Sequence, residues 1–188
     1  MPPPRLLGIT SGGDLCECVP ALLAAGLPAV LLREAELSEA LLSVLPDGPQ
    51  VFVHAALPGA EALAVTRGWG LHLPGRMALG PVRERFAGPL SRSCHAREEA
   101  DADVAAGADF VLLSPIWPPG SKPEDQRPTL GLSVLTGGAR VLALGGITPE
   151  RARAAVQAGA GGVAVLGGIF ASPDPLQALA QYVQMLAS

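Results

Sequence analysis

The feature that most constrains the fold is an eightfold alternation of short apolar segments with longer amphipathic or alanine-rich segments. Glycine or proline marks most joints between them, and the apolar segments have the length and residue types of buried strands. The predicted strands cover residues 6–10, 29–33, 50–54, 70–73, 90–94, 109–114, 140–144 and 162–166. The predicted helices lie near residues 15–25, 36–45, 59–67, 79–86, 96–106, 130–137, 149–158 and 173–186.

Strands that alternate with helices favour a parallel sheet with right-handed crossovers, and eight such units favour closure into a barrel. We therefore predict an α/β fold, a single (β/α)₈ TIM barrel over residues 1–188 with compact loops. The main alternative is an open doubly wound sheet. The first strand lacks the G-x-G-x-x-G loop with which that fold binds dinucleotides.

Composition narrows the classes of function. Hydrophobic residues make up 49% of the chain and aromatic residues 4%, so the core is aliphatic. The formal net charge is −4 and the basic residues are scattered, which argues against a nucleic-acid partner. The longest apolar stretch, 19–32, is interrupted by Pro20, Gly26 and Pro28 and is too short to span a bilayer. The N-terminus does not resemble a secretory signal, and the three cysteines lack metal-type spacing. We therefore predict a cytoplasmic protein whose thiols are reduced.

Two glycine pairs mark a predicted phosphate site. Gly145 and Gly146 follow the seventh strand, and Gly167 and Gly168 follow the eighth. Barrels of this kind often bind phosphate at these two places, because glycine lets backbone N–H groups approach an anion. The alternative is that the glycines serve only tight turns.

The end of the fifth strand carries the candidate general base. Alternation along a strand puts Ser91, Ser93 and His95 on one face and Arg92 with Cys94 on the other. Ser93 and His95 can then point into the barrel mouth, and histidine suits proton transfer near neutral pH. The same alternation argues against a Cys94–His95 nucleophilic pair. A purely structural role for His95 is the alternative.

Further polar residues lie at the same rim. Arg33 ends the second strand, where it can contact a ligand or pair with Glu34. Ser121 and Lys122 lie in the long loop 115–128 and are candidate anion contacts.

His54 and His72, which lie at the ends of the third and fourth predicted strands, are candidate metal ligands at this rim. No Asp occurs between Gly48 and Ala100, and Mg²⁺ needs oxygen ligands. We predict no metal site and no cofactor.

Several segments carry a resemblance to a known family. They are LLREA, GLHLP, SRSCHAREEADADVAAGADFVLLSPIWPPGSKP and LALGGITPERARAAVQAGAGGVAVLGGIF, in that order. The chain resembles the thiamine phosphate synthase/TenI family of (β/α)₈ barrels. The resemblance implies a phosphorylated thiazole substrate and one of two activities.

Departures from the synthase pattern favour the second activity. A thiamine phosphate synthase joins a pyrimidine pyrophosphate to a thiazole phosphate and holds Mg²⁺ with carboxylates after strands three and four. This chain has His54-Ala55-Ala56 and Pro74-Gly75-Arg76 there. The Arg-Ser-x-His at residues 92–95 resembles the TenI branch, a thiazole tautomerase in which His95 would move the proton.

Three functions stay open at this point. The first is the tautomerase, the second a synthase with divergent ligands that would need Mg²⁺, and the third a non-catalytic, phosphate-ligand-binding regulatory barrel. The sequence leaves the oligomeric state open, a homo-oligomer included.

Overall fold

A computed structural model describes residues 1–10, 12–118 and 128–187. Eight parallel strands pair in chain order, and β8 pairs with β1, so that the sheet closes into the predicted barrel. The strands are β1 Leu6–Ile9, β2 Ala29–Leu32, β3 Val51–His54, β4 Gly70–Leu73, β5 Leu90–Cys94, β6 Phe110–Leu113, β7 Val141–Ala143 and β8 Gly162–Val165.

Helices follow most of the strands. They are α1 Leu15–Ala24, α2 Glu39–Val44, α3 Ala60–Arg67, α4 Gly80–Arg83, α5 Arg97–Ala105, α6 Pro149–Gln157, α7 Gly167–Phe170 and α8 Pro175–Ala187. Thr148 caps α6, because its hydroxyl accepts a hydrogen bond from Arg151 N. Among the described residues, no helix has both the length and the apolar composition needed to cross a bilayer.

The helical predictions were wrong at three places. The segment 130–137 forms only a 3₁₀ turn, Ser133–Leu135, because Gly131 and Gly137 on either side adopt positive φ. The last helix begins at Pro175 rather than near residue 173, and Asp174 Oδ1 accepts a hydrogen bond from Gln177 N in its first turn. The short helix α7, which was not among the predicted helices, begins at the glycines after β8.

Alternation along each strand divides the apolar residues into two clusters. Outward-facing side chains pack against the helices, and inward-facing side chains fill the barrel. Inside, Phe52 and Phe110 meet edge to face with ring centroids 5.2 Å apart. Gly70 leaves room for the Phe52 ring, since a Cβ at Gly70 would collide with it. Both phenylalanines lie near the beginnings of their strands, so the barrel is filled there and open at its carboxyl end.

Candidate functional site

A cavity of about 660 Å³ opens at the carboxyl ends of the strands. Apolar side chains from several strands form much of its wall, among them Ile9, Leu31, Leu112, Leu144 and Ala164. Polar groups lie on two opposite sides, because β7 and β8 face β3 and β4 across the closed barrel. Such an arrangement, apolar with a few placed polar groups, is typical of a small-molecule site.

The glycine pairs line one side of the cavity. Gly145 and Gly146 have φ values of 99° and 61°, which side chains rarely adopt. Gly167 and Gly168 also line the cavity, at the N-terminal end of α7. The structure therefore brings the four predicted phosphate-binding glycines together around one space.

Gly168 has a second reason to be glycine. A Cβ at this position would collide with the Tyr182 hydroxyl, whereas a Cβ at Gly167 would meet only Ala171 Cβ at 3.9 Å. The Tyr182 hydroxyl donates to Ile147 O at 2.8 Å, and burial raises the pKa of Tyr182 to about 12. Tyr182 thus connects the loop after β7 with the helix after β8.

Arg151 is a cavity residue that the sequence reasoning missed. Its Nη1 donates to Gly146 O at 2.7 Å, and its guanidinium lies 5.4 Å from the centroid of the Trp117 ring. A positive charge beside the glycine loops suits an anionic ligand. The available signal was its place in the first turn of the helix that follows a glycine pair.

A histidine between two serines lies on the opposite side. His72 Nδ1 is 2.9 Å from Ser91 Oγ, and its Nε2 is 2.9 Å from Ser93 Oγ. Burial, and then the nearby His54 and Arg33, lower the pKa of His72 to about 3. His72 is therefore a neutral, fully hydrogen-bonded side chain at the wall of the cavity.

Arg33 and His54 complete this side. Ala56 N donates to His54 Nδ1 at 3.2 Å, and burial followed by Arg33 and Arg76 lowers the pKa of His54. Within the described part of the chain Arg33 forms no ion pair; Glu34 instead accepts a hydrogen bond from Gly12 N at 3.2 Å. The ion pair between Arg33 and Glu34 that the sequence left open is therefore not formed.

His95 lies at the rim rather than in the wall of the cavity. Strand β5 ends at Cys94, and the His95 side chain is exposed. His95 Nδ1 is 2.9 Å from Ser114 O, a carbonyl that can only accept, so Nδ1 carries a hydrogen and, in the neutral ring, Nε2 has the lone pair. His95 N donates to Glu99 Oε2 at 2.8 Å, which fixes the turn that carries the ring.

Cys94 points away from the cavity, as the strand alternation predicts. It is buried, and its Sγ donates to Asp103 at 3.2 Å. Burial and the Asp103 carboxylate raise the pKa of the Cys94 thiol well above its usual range, which makes it a poor nucleophile. Arg92 on the same face forms ion pairs with Asp103 and Glu99.

Ser121 and Lys122 lie outside the described residues, so their expected contacts with an anion stay predictions. Glu124 and Asp125 of the same loop also lie outside them.

The described lining of the cavity offers no carboxylate to a metal ion. Among the described residues that line it, none carries a carboxylate, and Mg²⁺ in such sites is held by carboxylates together with substrate phosphates. In the same described ranges, potential metal ligands come together at one place between β5 and α5, where Cys94 lies close to Glu99 and Asp103. Both carboxylates already form ion pairs with Arg92.

Comparisons with known proteins agree on a family. A family model described as thiamine monophosphate synthase matches residues 6–169. A putative thiamine-phosphate synthase of Geobacter sulfurreducens is 34% identical over 181 residues, which cover 87% of this chain and 83% of that protein. A thiamine-phosphate synthase of Roseiflexus castenholzii is 33% identical over 179 residues, covering 86% and 77%.

Solved structures agree on the fold. A thiamine phosphate pyrophosphorylase of Pyrococcus furiosus superposes with a TM-score of 0.75 at 20% identity, covering 98% of this chain and 96% of the other. The enzyme of the same name from Bacteroides thetaiotaomicron gives 0.73 at 24% identity, with 97% of each chain covered.

Proposed function

Because the chain belongs to the thiamine monophosphate synthase family, we propose that it acts on a phosphorylated thiazole, as a tautomerase in thiamine biosynthesis. The substrate is the phosphorylated carboxythiazole released by thiazole synthase. A base removes a proton from the ring carbon, and a proton returns to the exocyclic carbon, so that substrate and aromatic product are isomers.

The proposal gives each group one role. The glycine loops with Gly145, Gly146, Gly167 and Gly168 hold the phosphate, and Arg33 and Ser93 contact the rest of the substrate. His95 is the general base through Nε2, whose lone pair is kept by the Nδ1 hydrogen bond to Ser114 O. Ser121 and Lys122, which lie outside the described residues, stay candidate contacts of the substrate anion.

The observation that carries the proposal is the carboxylate-poor lining of the cavity. A synthase must neutralise the charge that develops on departing pyrophosphate, which calls for Mg²⁺ held by carboxylates. The described lining offers arginine, histidine, serine and backbone groups instead. A proton shift within one molecule releases no phosphoryl group and needs no such ligands.

The second candidate is a thiamine phosphate synthase, which the names of the relatives favour. This activity is a transferase reaction in which the pyrimidine pyrophosphate and the thiazole phosphate join and pyrophosphate leaves. It would require ligands for Mg²⁺ from outside the described lining, such as Glu124 or Asp125.

The test follows the ultraviolet spectrum of the thiazole synthase product with and without the protein. Growth of the aromatic absorbance at a rate proportional to protein concentration supports the tautomerase. A matched His95→Gln variant keeps a polar side chain without the base and should lose the acceleration. No acceleration by the wild-type protein would contradict the proposed reaction.

A further inference from the structure

His54 and His72, on β3 and β4, both line the cavity. We propose that Arg33, His54 and Ser93 form a second anion subsite, opposite the glycine loops, that receives the carboxylate of the substrate. The inference rests on the proposed function and names the feature of the substrate that this protein selects, a carboxylate on the ring in addition to the phosphate.

The hydrogen bonds around His72 have a direction. Ser91 is completely buried, and within the described part of the chain its hydroxyl has one partner, His72 Nδ1. A buried hydroxyl hydrogen needs an acceptor, so Ser91 donates to Nδ1 and the imidazole hydrogen lies on Nε2. Nε2 then donates to Ser93 Oγ. The Ser93 hydroxyl hydrogen is left to donate to a ligand, since Ser93 lines the cavity.

His54 presents a donor for a similar reason. Its Nδ1 accepts a hydrogen bond from Ala56 N and therefore carries no hydrogen. The neutral ring then has its hydrogen on Nε2. The ring lines the cavity, and its centroid lies 5.7 Å from that of His72, its register partner on β4.

Arg33 supplies the charge of the subsite. Its guanidinium offers donors only, and no carboxylate of the described residues pairs with it. The three groups together provide a positive charge, an imidazole N–H and a hydroxyl hydrogen. A carboxylate has two oxygens with several lone pairs, and hydrogen bonds to a charged acceptor are stronger than neutral ones.

Binding measured by titration calorimetry tests the subsite without turnover. The ligands are the aromatic carboxythiazole phosphate and the same thiazole phosphate without its carboxylate. We expect wild type to bind the carboxylated ligand about tenfold or more tightly, the value of one hydrogen bond to a charged group. Ser93→Ala should remove most of this preference, because it weakens binding of the carboxylated ligand far more than binding of the other.

Two further variants make the result specific. Ser93→Thr keeps the hydroxyl and should keep the preference, and Ser43→Ala, an exposed serine of α2, should behave as wild type. Circular dichroism establishes that each variant is folded.

The outcomes separate the two proposals. Equal affinity of wild type for the two ligands overturns the anion subsite but leaves a thiazole phosphate as the substrate class. A preference that persists in Ser93→Ala likewise overturns it. No binding of either ligand overturns the subsite and the proposed function together. A further outcome would also overturn the carboxylate subsite. If inorganic pyrophosphate competes with the carboxylated ligand only when Mg²⁺ is added, these groups belong to a synthase.

Discussion

Replacing Gly168 by alanine tests why a glycine stands beside the cavity. The new Cβ would collide with the Tyr182 hydroxyl and would lie 3.0 Å from Val165 Cγ1. Overpacking of this kind costs about 1–3 kcal/mol in the free energy of unfolding. Gly167→Ala is the matched control, because its Cβ would have only an ordinary contact, and we expect a change within about 0.5 kcal/mol.

The collision can be relieved from the other side. Tyr182→Phe removes the hydroxyl and the hydrogen bond to Ile147 O, leaving a buried carbonyl without its partner at a cost of about 1–3 kcal/mol. In the double variant, the hydroxyl that Gly168→Ala displaces is already gone. The loss of unfolding free energy in the double variant should therefore be smaller, by about 1 kcal/mol or more, than the sum of the losses in the two single variants.

Urea denaturation of the four proteins measures the four free energies, provided that the slopes agree. For a chain of this size, each 1 kcal/mol also corresponds to a shift of about 2–4 °C in Tm. If the costs of the two single changes add within about 0.3–0.5 kcal/mol, Gly168 and Tyr182 do not act through this contact, and the packing argument is refuted.

Three other outcomes are expected. Gly167→Val should fold but fill the space where phosphate is expected, so that KM rises sharply for a phosphorylated substrate and little for an unphosphorylated analogue; equal damage to both would limit the glycine to a structural role. His95→Gln should lower kcat by about 10²-fold or more, and retention of a tenth of the rate would remove His95 as general base. In the folded protein the pKa of His72 is lowered to about 3, whereas in the unfolded chain it has its ordinary value of about 6.5. As pH falls from about 6.5 to 3, the unfolded chain therefore binds a proton that the folded protein does not, and the stability from neutral His72 is lost. The difference in unfolding free energy between wild type and His72→Gln should therefore shrink between pH 7 and pH 4, and a constant difference would contradict the buried neutral state.

The barrel could be predicted because its signals are local. Each strand is a short apolar run, and each turn is marked by glycine or proline, so strand number and order follow from the chain alone. The segment 130–137 has an apolar pattern as well, but Leu135 is the buried residue of its 3₁₀ turn and the two flanking glycines prevent a longer helix. Pattern alone does not reveal that limit.

The site was predictable in part. Alternation places Ser91 and Ser93 correctly on the inner face, where both contact His72. The same alternation was extended to His95, although the strand ends one residue earlier, and so His95 is exposed at the rim. The contact of Tyr182 with Gly168 joins residues from separate helices, which no local pattern encodes.

The central claim is that this cavity supports a proton shift and not the release of pyrophosphate. One assay compares the protein in EDTA, with the thiazole synthase product, and in Mg²⁺, with thiazole phosphate and the pyrimidine pyrophosphate. The account predicts full aromatisation of the first substrate in EDTA and no pyrophosphate from the second mixture. Thiamine phosphate formed only with Mg²⁺, at an ordinary enzymatic rate of about 1 s⁻¹ or more, together with no aromatisation, would contradict it.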